Sequence, residues 1–222
     1  MIKTLFASIL LSIIATASSP SIADTSGRQL IDGLDYIEIK DGAPLNPADG
    51  KVVVEEFFNY ACPACNRFEP LFAPWAAKLP SWAKVVHIPA AFRPDFVPYA
   101  KAYYAAAALG LVAMTHQAVY DAIHRTHQLP GEGEKIDDKR IAAFYADYGV
   151  SEQKFLSTIE SPAIEASVRN ATTHMQNSKI DSTPSILIDG RYLVRGRNYA
   201  DMLWIANALV EQEHERMVSG KH

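Results

Sequence analysis

The chain has 222 residues, of which 49% are hydrophobic and 21% are charged, and its formal net charge is −4 at pH 7. This is the composition of an ordinary globular protein. The slight negative charge argues against a nucleic acid or an anionic membrane surface as the main partner, so we expect no nucleic acid partner.

The first 23 residues have the pattern of a secretory signal peptide. Lys3 supplies the positive charge, residues 5–17 are apolar and rich in small side chains, and Ser21-Ile22-Ala23 is a small-x-small cleavage site. A membrane anchor is the alternative, but the apolar run is shorter than the roughly 20 residues that span a bilayer. The pattern predicts an exported protein whose mature chain starts at Asp24.

The segments before residue 94 alternate between predicted strands and a helix. Residues 36–39 form a short alternating strand, and residues 51–58, β-branched and then aromatic, predict a buried strand. Helical spacing of apolar residues predicts a helix over 65–78 with a kink at Pro70. Residues 83–89 predict the next strand, which completes a βαβ unit with a right-handed crossover.

The segment from about residue 94 to 179 is almost entirely helical by its pattern. Ser151 and Ser161 are expected to cap the last two of its helices, the second of which has Pro162 in its first position. The other helices are predicted over residues 97–109, 112–127 and 138–148.

The periodicity changes again near residue 185. Two short strands, 185–188 and 191–194, flank Asp189-Gly190, which is the signature of a β-hairpin with a type I′ turn. An amphipathic helix from Tyr199 to about residue 217 follows. The order β-α-β, helical block, β-β-α predicts the α/β thioredoxin fold, interrupted by an all-helical insertion.

This topology divides the mature chain into two parts. Residues 24–93 and 180–222 are predicted to form the thioredoxin-like domain, and residues 94–179 the helical insertion.

The only two cysteines, Cys62 and Cys65, are separated by Pro63 and Ala64 at the start of the first predicted helix. An exported domain that depends on disulfides usually carries several, and a bond that closes so small a loop adds little stability. The pair is therefore predicted to be redox-active, one sulfur attacking and the other releasing the mixed disulfide. A static disulfide is the alternative.

A metal site is a further alternative, and we expect none. Two cysteines supply only half of a tetrahedral zinc shell. His124 and His127 have the only paired histidine spacing, and we expect them on a solvated helix end instead.

The segment Phe57-Phe58-Asn59-Tyr60-Ala61-Cys62-Pro63-Ala64-Cys65, followed by Phe68-Glu69, resembles the active-site segment of the DsbA family of exported thiol-disulfide oxidoreductases. The resemblance covers the whole predicted mature chain in element order. It implies a periplasmic enzyme that needs no cofactor and forms disulfides in unfolded or reduced exported proteins. A DsbB-like membrane oxidase would reoxidise it.

Two other functions stay open at this point. The first is a disulfide isomerase or reductase of the same fold. The second is a non-catalytic binding module in which the redox state of the disulfide controls the affinity for a partner.

The two cysteines are expected to have different roles. Cys62 lies where the strand ends and the helix starts, and a helix N-terminus favours a thiolate, so Cys62 is the expected nucleophile. Cys65 lies one turn into the helix and is the expected resolving thiol. By the resemblance, Thr183-Pro184 is the cis-proline pair that faces them and, with Pro63 and Ala64, contacts an extended substrate.

Glu56 lies in the apolar strand six residues before Cys62, where the family often has a buried acid below the dithiol. A carboxylate there could shuttle the proton of Cys65. Glu55 would then lie on the opposite face of the strand, in solvent. The reverse arrangement, with Glu56 exposed, is the alternative.

The chain departs from the family at two positions. Typical DsbA oxidases have a histidine where this chain has Ala64, and losing that side chain predicts a less oxidising redox couple. Thr183 replaces the valine of those oxidases and is typical of the DsbC and DsbG isomerases. Those isomerases also carry an N-terminal dimerisation domain, for which the residues before Lys51 are too few.

Overall fold

The computed structural model describes residues 28–48 and 50–220, so the predicted signal peptide and its cleavage site lie outside the described residues. In the described part, one mixed sheet has the strand order β1-β5-β4-β2-β3. Within the same residues, no helix is long and apolar enough to cross a membrane. The strands are β1 (Tyr36–Glu38), β2 (Val52–Phe58), β3 (Ala83–Pro89), β4 (Ser185–Ile188) and β5 (Tyr192–Val194).

Strand β2 lies at the centre of this sheet and leads directly to the cysteines. It pairs in parallel with β3 and antiparallel with β4, and all seven of its residues are buried. Val52 and Val54 face helices α1 (Pro63–Ala76) and α7 (Tyr199–Ser219) and pack in one apolar cluster with side chains of both. A strand covered on both faces is mostly apolar, and β2 carries five apolar residues around Glu55 and Glu56, which explains why its position was predictable.

The helical insertion follows β3 and covers the other face of the sheet. Ser151 and Ser161 cap two of its helices by accepting hydrogen bonds from the backbone N–H groups of Lys154 and Ile164, as predicted. The limits of the two predicted domains stay predictions. The helices are α2 (Val97–Ala108), α3 (Val112–His124), α4 (Asp138–Ala146), α5 (Glu152–Ile159) and α6 (Pro162–Asn177).

The predicted solvent exposure of Glu55 is wrong, because α6 packs on the face of β2 that was expected to be open. The Glu55 side chain is completely buried. Its carboxylate accepts a hydrogen bond of 2.7 Å from the backbone N–H of Leu45 and lies 3.1 Å from Nε2 of His174 on α6. A buried carboxylate needs such partners, and the insertion supplies one of them.

The solvated position expected for His124 is also wrong. His124 is half-buried, and its Nε2 donates a hydrogen bond of 2.8 Å to the carbonyl oxygen of Tyr60 in the loop before the cysteines. His127 is exposed, as expected.

The β4–β5 hairpin has the predicted type I′ turn. Asp189 and Gly190 have φ values of 50° and 69°, and the N–H of Arg191 donates to the carbonyl of Ile188 at 2.9 Å. Burial raises the pKa of Asp189 to about 6, and a hydrogen bond with the buried Glu213 of α7 adds to this effect.

The raised pKa of Asp189 makes stability depend on pH. An unfolded aspartate titrates near pH 3.9, as expected for the free side chain, whereas the folded group titrates at about 6. The folded protein therefore holds an extra proton between these values, and the free energy of unfolding falls as the pH rises through this window.

We expect Asp189→Asn to remove this loss, because asparagine is neutral and tolerates the left-handed backbone of the turn. The substitution should raise the free energy of unfolding by about 1 kcal/mol more at pH 7 than at pH 4. Urea denaturation at the two pH values measures this. Asp41→Asn is the matched control, since Asp41 is exposed and also has a positive φ, of 57°. If Asp189→Asn is less favourable for stability at pH 7 than at pH 4, the raised pKa of Asp189 is contradicted.

Candidate active site

The loop between β2 and α1 is held by Asn59, whose side chain makes three hydrogen bonds. Its Oδ1 accepts from the N–H of Ala61 at 2.9 Å, which gives the tight turn that brings the chain to Cys62. Its Nδ2 donates to the carbonyl oxygens of Ala90 and Phe96, at 2.8 and 3.0 Å. No role was predicted for Asn59, although an asparagine directly after a buried strand is a signal for a tight turn.

Cys62 is the N-cap of α1, and Pro63 occupies the first turn of the helix. The Sγ of Cys62 accepts a hydrogen bond of 3.4 Å from the backbone N–H of Cys65. Both cysteines are free thiols and buried, Cys65 completely. The cap position combines an unpaired N–H group with the positive end of the helix dipole, and both favour a thiolate at Cys62.

The two thiols have opposite pKa shifts. A hydrogen bond from the Cys65 thiol lowers the pKa of Cys62 to about 6, against burial, with help from a side-chain hydrogen bond of Thr183 and from the backbone N–H groups of Cys65 and Ala64. Burial raises the pKa of Cys65 well above its usual range, and the hydrogen bond to Cys62 adds to this. At neutral pH Cys62 is therefore mostly a thiolate, while Cys65 remains a thiol.

The loop before β4 faces this pair. The Thr183–Pro184 peptide bond is cis, as predicted. The carbonyl oxygen of Thr183 lies 3.6 Å from the Sγ of Cys62, although the two residues are far apart in the chain. The structure therefore brings Thr183 into direct contact with the sulfur that we expect to react.

An open cavity of about 390 Å³ gives access to Cys62. Three of the predicted substrate-binding residues, Pro63, Ala64 and Thr183, line it, whereas Pro184 is not part of its wall. Residues from two distant loops also line it, and no sequence motif marks them. They are Phe92, Arg93 and Phe96 after β3, and Glu132 between α3 and α4.

Glu56 is buried, as predicted, on the face of β2 that lies below α1. Its Oε2 is 2.7 Å from Nδ1 of His87, the residue opposite it on β3. Burial lowers the pKa of His87, but the hydrogen bond and charge of Glu56, together with the charge of Glu69, raise it more, so the net shift is upward. No role was predicted for His87, because its place opposite Glu56 follows from the parallel register of β2 and β3.

Comparison with known proteins agrees with this geometry. A sequence profile of the family described as Thioredoxin matches residues 47–206. The thiol:disulfide interchange protein DsbA of Burkholderia cepacia is 31% identical over 190 residues, which cover 86% of each chain. The protein of the same name from Pseudomonas aeruginosa strain PAO1 is 30% identical over 184 residues, covering 82% of this chain and 84% of that one.

Solved structures show the same relationship. The crystal structure of the oxidoreductase DsbA from Xylella fastidiosa superposes with a TM-score of 0.80 at 34% identity, and covers 84% of this chain and 98% of its own. The crystal structure of Pseudomonas aeruginosa DsbA has a TM-score of 0.74 at 29% identity, with 86% and 96% covered.

The side-chain hydrogen bond of Thr183 to Cys62 can be tested by Thr183→Val, which removes the hydroxyl and keeps the shape. The pKa of Cys62 should rise by roughly one unit, because a hydrogen bond to a charged group contributes about 1.5–3 kcal/mol and one pKa unit corresponds to about 1.4 kcal/mol. The thiolate absorbance of Cys62 as a function of pH measures this. Ser182→Ala is the control, since the Ser182 hydroxyl donates to Asp181. An unchanged or lower pKa of Cys62 in Thr183→Val would refute the hydrogen bond from the Thr183 side chain.

Proposed function

Because the chain belongs to the DsbA family of the thioredoxin superfamily and is a thiol-disulfide oxidoreductase, we propose that Cys62 and Cys65 are its redox-active pair and that it forms disulfides in exported proteins. The observation that supports this proposal most strongly is that the two thiols differ in pKa and in access to the cavity. Cys62 has a pKa of about 6 and opens to the cavity, whereas Cys65 is buried with a raised pKa.

The oxidising cycle follows from this inequality. A substrate thiolate attacks the Sγ of Cys62 in the disulfide form, and Cys65 departs with the electron pair and takes up a proton. A second substrate thiolate then attacks the substrate sulfur of the mixed disulfide, and Cys62 leaves as a thiolate. Its low pKa makes Cys62 a good leaving group and stabilises the reduced enzyme, which favours oxidation of the substrate.

The cavity beside Cys62 is the proposed substrate site. Thr183 in the cavity wall and Pro184, the next residue in the chain, present backbone groups to an extended substrate, and Pro63 and Ala64 also line the cavity. Glu56 is proposed as a buried acid that exchanges the proton of Cys65. The substrates are reduced or unfolded exported proteins, and a DsbB-like membrane oxidase regenerates the disulfide.

A periplasmic location is part of the proposal. It is supported by the signal-like pattern of the first 23 residues. The named DsbA relatives, which cover most of this chain, support the same assignment.

A disulfide isomerase or reductase is the second candidate, favoured by two features of the site. Ala64 offers only its backbone N–H to the thiolate, and the side chain of Thr183 hydrogen bonds to Cys62. Refolding of scrambled ribonuclease separates an isomerase from an oxidase, because only an isomerase accelerates recovery of activity without a net change in the number of disulfides.

Cys62→Ser should abolish both the oxidation of reduced ribonuclease and the reduction of insulin, because the attacking and leaving sulfur is lost. Cys65→Ser should instead accumulate a mixed disulfide between Cys62 and an insulin chain, because the Cys62 thiolate attacks a disulfide of insulin, the other insulin sulfur leaves as a thiolate, and the resolving thiol is missing. Thiol trapping followed by mass spectrometry measures the second effect. Full exchange activity in Cys62→Ser would refute the proposed role of this pair.

Ala64→His should make the redox couple more oxidising. A charge-assisted hydrogen bond to the Cys62 thiolate contributes about 1.5–3 kcal/mol, which for a two-electron couple raises the potential by roughly 30–60 mV. Equilibration against glutathione measures the potential. Ala64→Gln is the control for side-chain size without the positive charge. A potential that stays equal or falls in Ala64→His would show that the missing side chain does not limit oxidation.

A further inference from the structure

Two arginines line the cavity beside Cys62, and they differ in whether their charge is already paired. Arg93 lies in the loop before α2, and Arg67 lies on α1. The guanidinium of Arg93 donates two hydrogen bonds to Asp95, at 3.0 and 2.9 Å, and one of 2.6 Å to Glu132. The charge of Arg93 is therefore held by carboxylates of the protein itself.

Arg67 has no such partner. Within residues 28–48 and 50–220, its guanidinium makes no hydrogen bond, ion pair or ring contact with another side chain. Arg67 is exposed, follows Cys62 by five residues and lines the same cavity. A guanidinium binds a carboxylate through two parallel hydrogen bonds, so an unpaired arginine at this wall can accept a carboxylate from a bound molecule.

The charge of Arg67 acts on the side of the cavity that the helical insertion forms. Burial lowers the pKa of His124 on α3, and the charges of His127 and Arg67 lower it further, although the hydrogen bond to the Tyr60 carbonyl opposes them. Arg67 therefore lies close to the C-terminal end of α3. His124 stays neutral at neutral pH, so it does not compete with Arg67 for an anion.

The two carboxylates in the cavity wall belong to other elements. Glu132 is paired with Arg93. Asp181 lies in the loop before β4, is exposed, and accepts a hydrogen bond of 3.0 Å from the hydroxyl of Ser182. In the described part of the chain, neither carboxylate pairs with Arg67. The wall therefore presents an unpaired positive charge on α1 and an unpaired negative charge on the loop before β4.

The molecule as a whole does not attract acidic substrates. Its formal net charge is −4 at pH 7, so its long-range field weakly repels an anion. Charges on an exposed surface are largely screened beyond about 10 Å at 0.1 M salt. A preference for acidic substrates would therefore come from a local contact inside the cavity.

We propose that Arg67 is a specificity-determining residue that binds a carboxylate of the substrate, so that the enzyme prefers exported proteins with an aspartate or glutamate near the reacting cysteine. This inference rests on the proposed redox role of Cys62 and Cys65, because Arg67 selects among the substrates of that reaction.

The preference should depend on the position of the acidic residue. An extended substrate that lies along Thr183 directs successive side chains to opposite sides of its backbone. A side chain that reaches Arg67 gains from a negative charge, whereas one that points toward Asp181 does not. A preference set by overall charge would instead be the same at every position.

Peptide dithiols measure this selection. In each peptide both cysteines have the same neighbours, and a single glutamate, glutamine or lysine is placed at one position within two residues of each cysteine. The oxidised protein is mixed with excess peptide and quenched with acid, and mass spectrometry gives the second-order rate constant for its reduction. Reaction of each peptide with 2-hydroxyethyl disulfide, which is uncharged, corrects for the effect of the neighbour on the peptide thiol.

With the unsubstituted protein, we expect the glutamate peptide to react about threefold faster than the glutamine peptide at one or more positions, as for a partly exposed ion pair. The preference should vanish at about 1 M salt, where the Debye length is roughly 3 Å. Arg67→Gln should react equally with both peptides. Arg67→Glu should prefer lysine to glutamine, by about threefold, at the same position.

The matched control is Lys78→Gln, which removes an exposed positive charge beyond the end of α1 and outside the cavity. It should keep the preference for glutamate. Each result is a ratio of two peptides on one protein, so an effect of the substitution on the reactivity of Cys62 or on folding cancels. A merely structural role of Arg67 would leave the ratio unchanged.

Three results would overturn the inference. They are equal rates for glutamate and glutamine at every position in the unsubstituted protein, a glutamate preference that persists in Arg67→Gln, and loss of the preference in Lys78→Gln as well. If no peptide reduces the unsubstituted protein, including those with glutamine, the proposed function fails instead.

Discussion

The site depends on one interaction, the convergence of the Cys65 thiol and the Cys65 backbone N–H on the sulfur of Cys62. It exists because Cys62 caps α1, so that the next turn of the helix lies directly below its Sγ. Two chemically identical side chains thereby become a thiolate and a thiol. This contact lowers the pKa of Cys62, and it adds to the burial that raises the pKa of Cys65.

The parts of the fold that could be predicted are those set by local patterns. Strand β2 is an apolar run interrupted only by Glu55 and Glu56, Ser151 and Ser161 precede helical segments, and Asp189-Gly190 specifies its turn by backbone preference. The errors at Glu55 and His124 have one physical cause: both residues are covered by contacts across the chain, with α6 and with the Tyr60 loop. Sequence periodicity shows that a face is apolar, but not what packs on the opposite face.

The same distinction applies to the site. Cys62, Cys65 and Thr183-Pro184 could be located because motif and resemblance mark them. Arg93 and Glu132 form an ion pair of 2.6 Å at the wall of the cavity, yet they lie in separate loops with no motif. Arg93 and Glu132 reach the cavity only because of the position of the insertion on the sheet, and that position depends on long-range packing.

The insertion therefore shapes the chemistry of both cysteines. Asn59 holds the active-site loop through the carbonyl of Phe96, which immediately precedes α2, and His124 of α3 holds the carbonyl of Tyr60 in the same loop. Burial raises the pKa of Tyr120 on α3, and Tyr120 lies close enough to Cys65 for the negative charge of a Cys65 thiolate to raise it further. Since burial is the largest cause of the raised pKa of Cys65, the helices that close this side of the molecule help to keep the resolving thiol protonated. The difference between the two cysteines thus arises partly from α1 and partly from a layer of helices added outside the thioredoxin-like core.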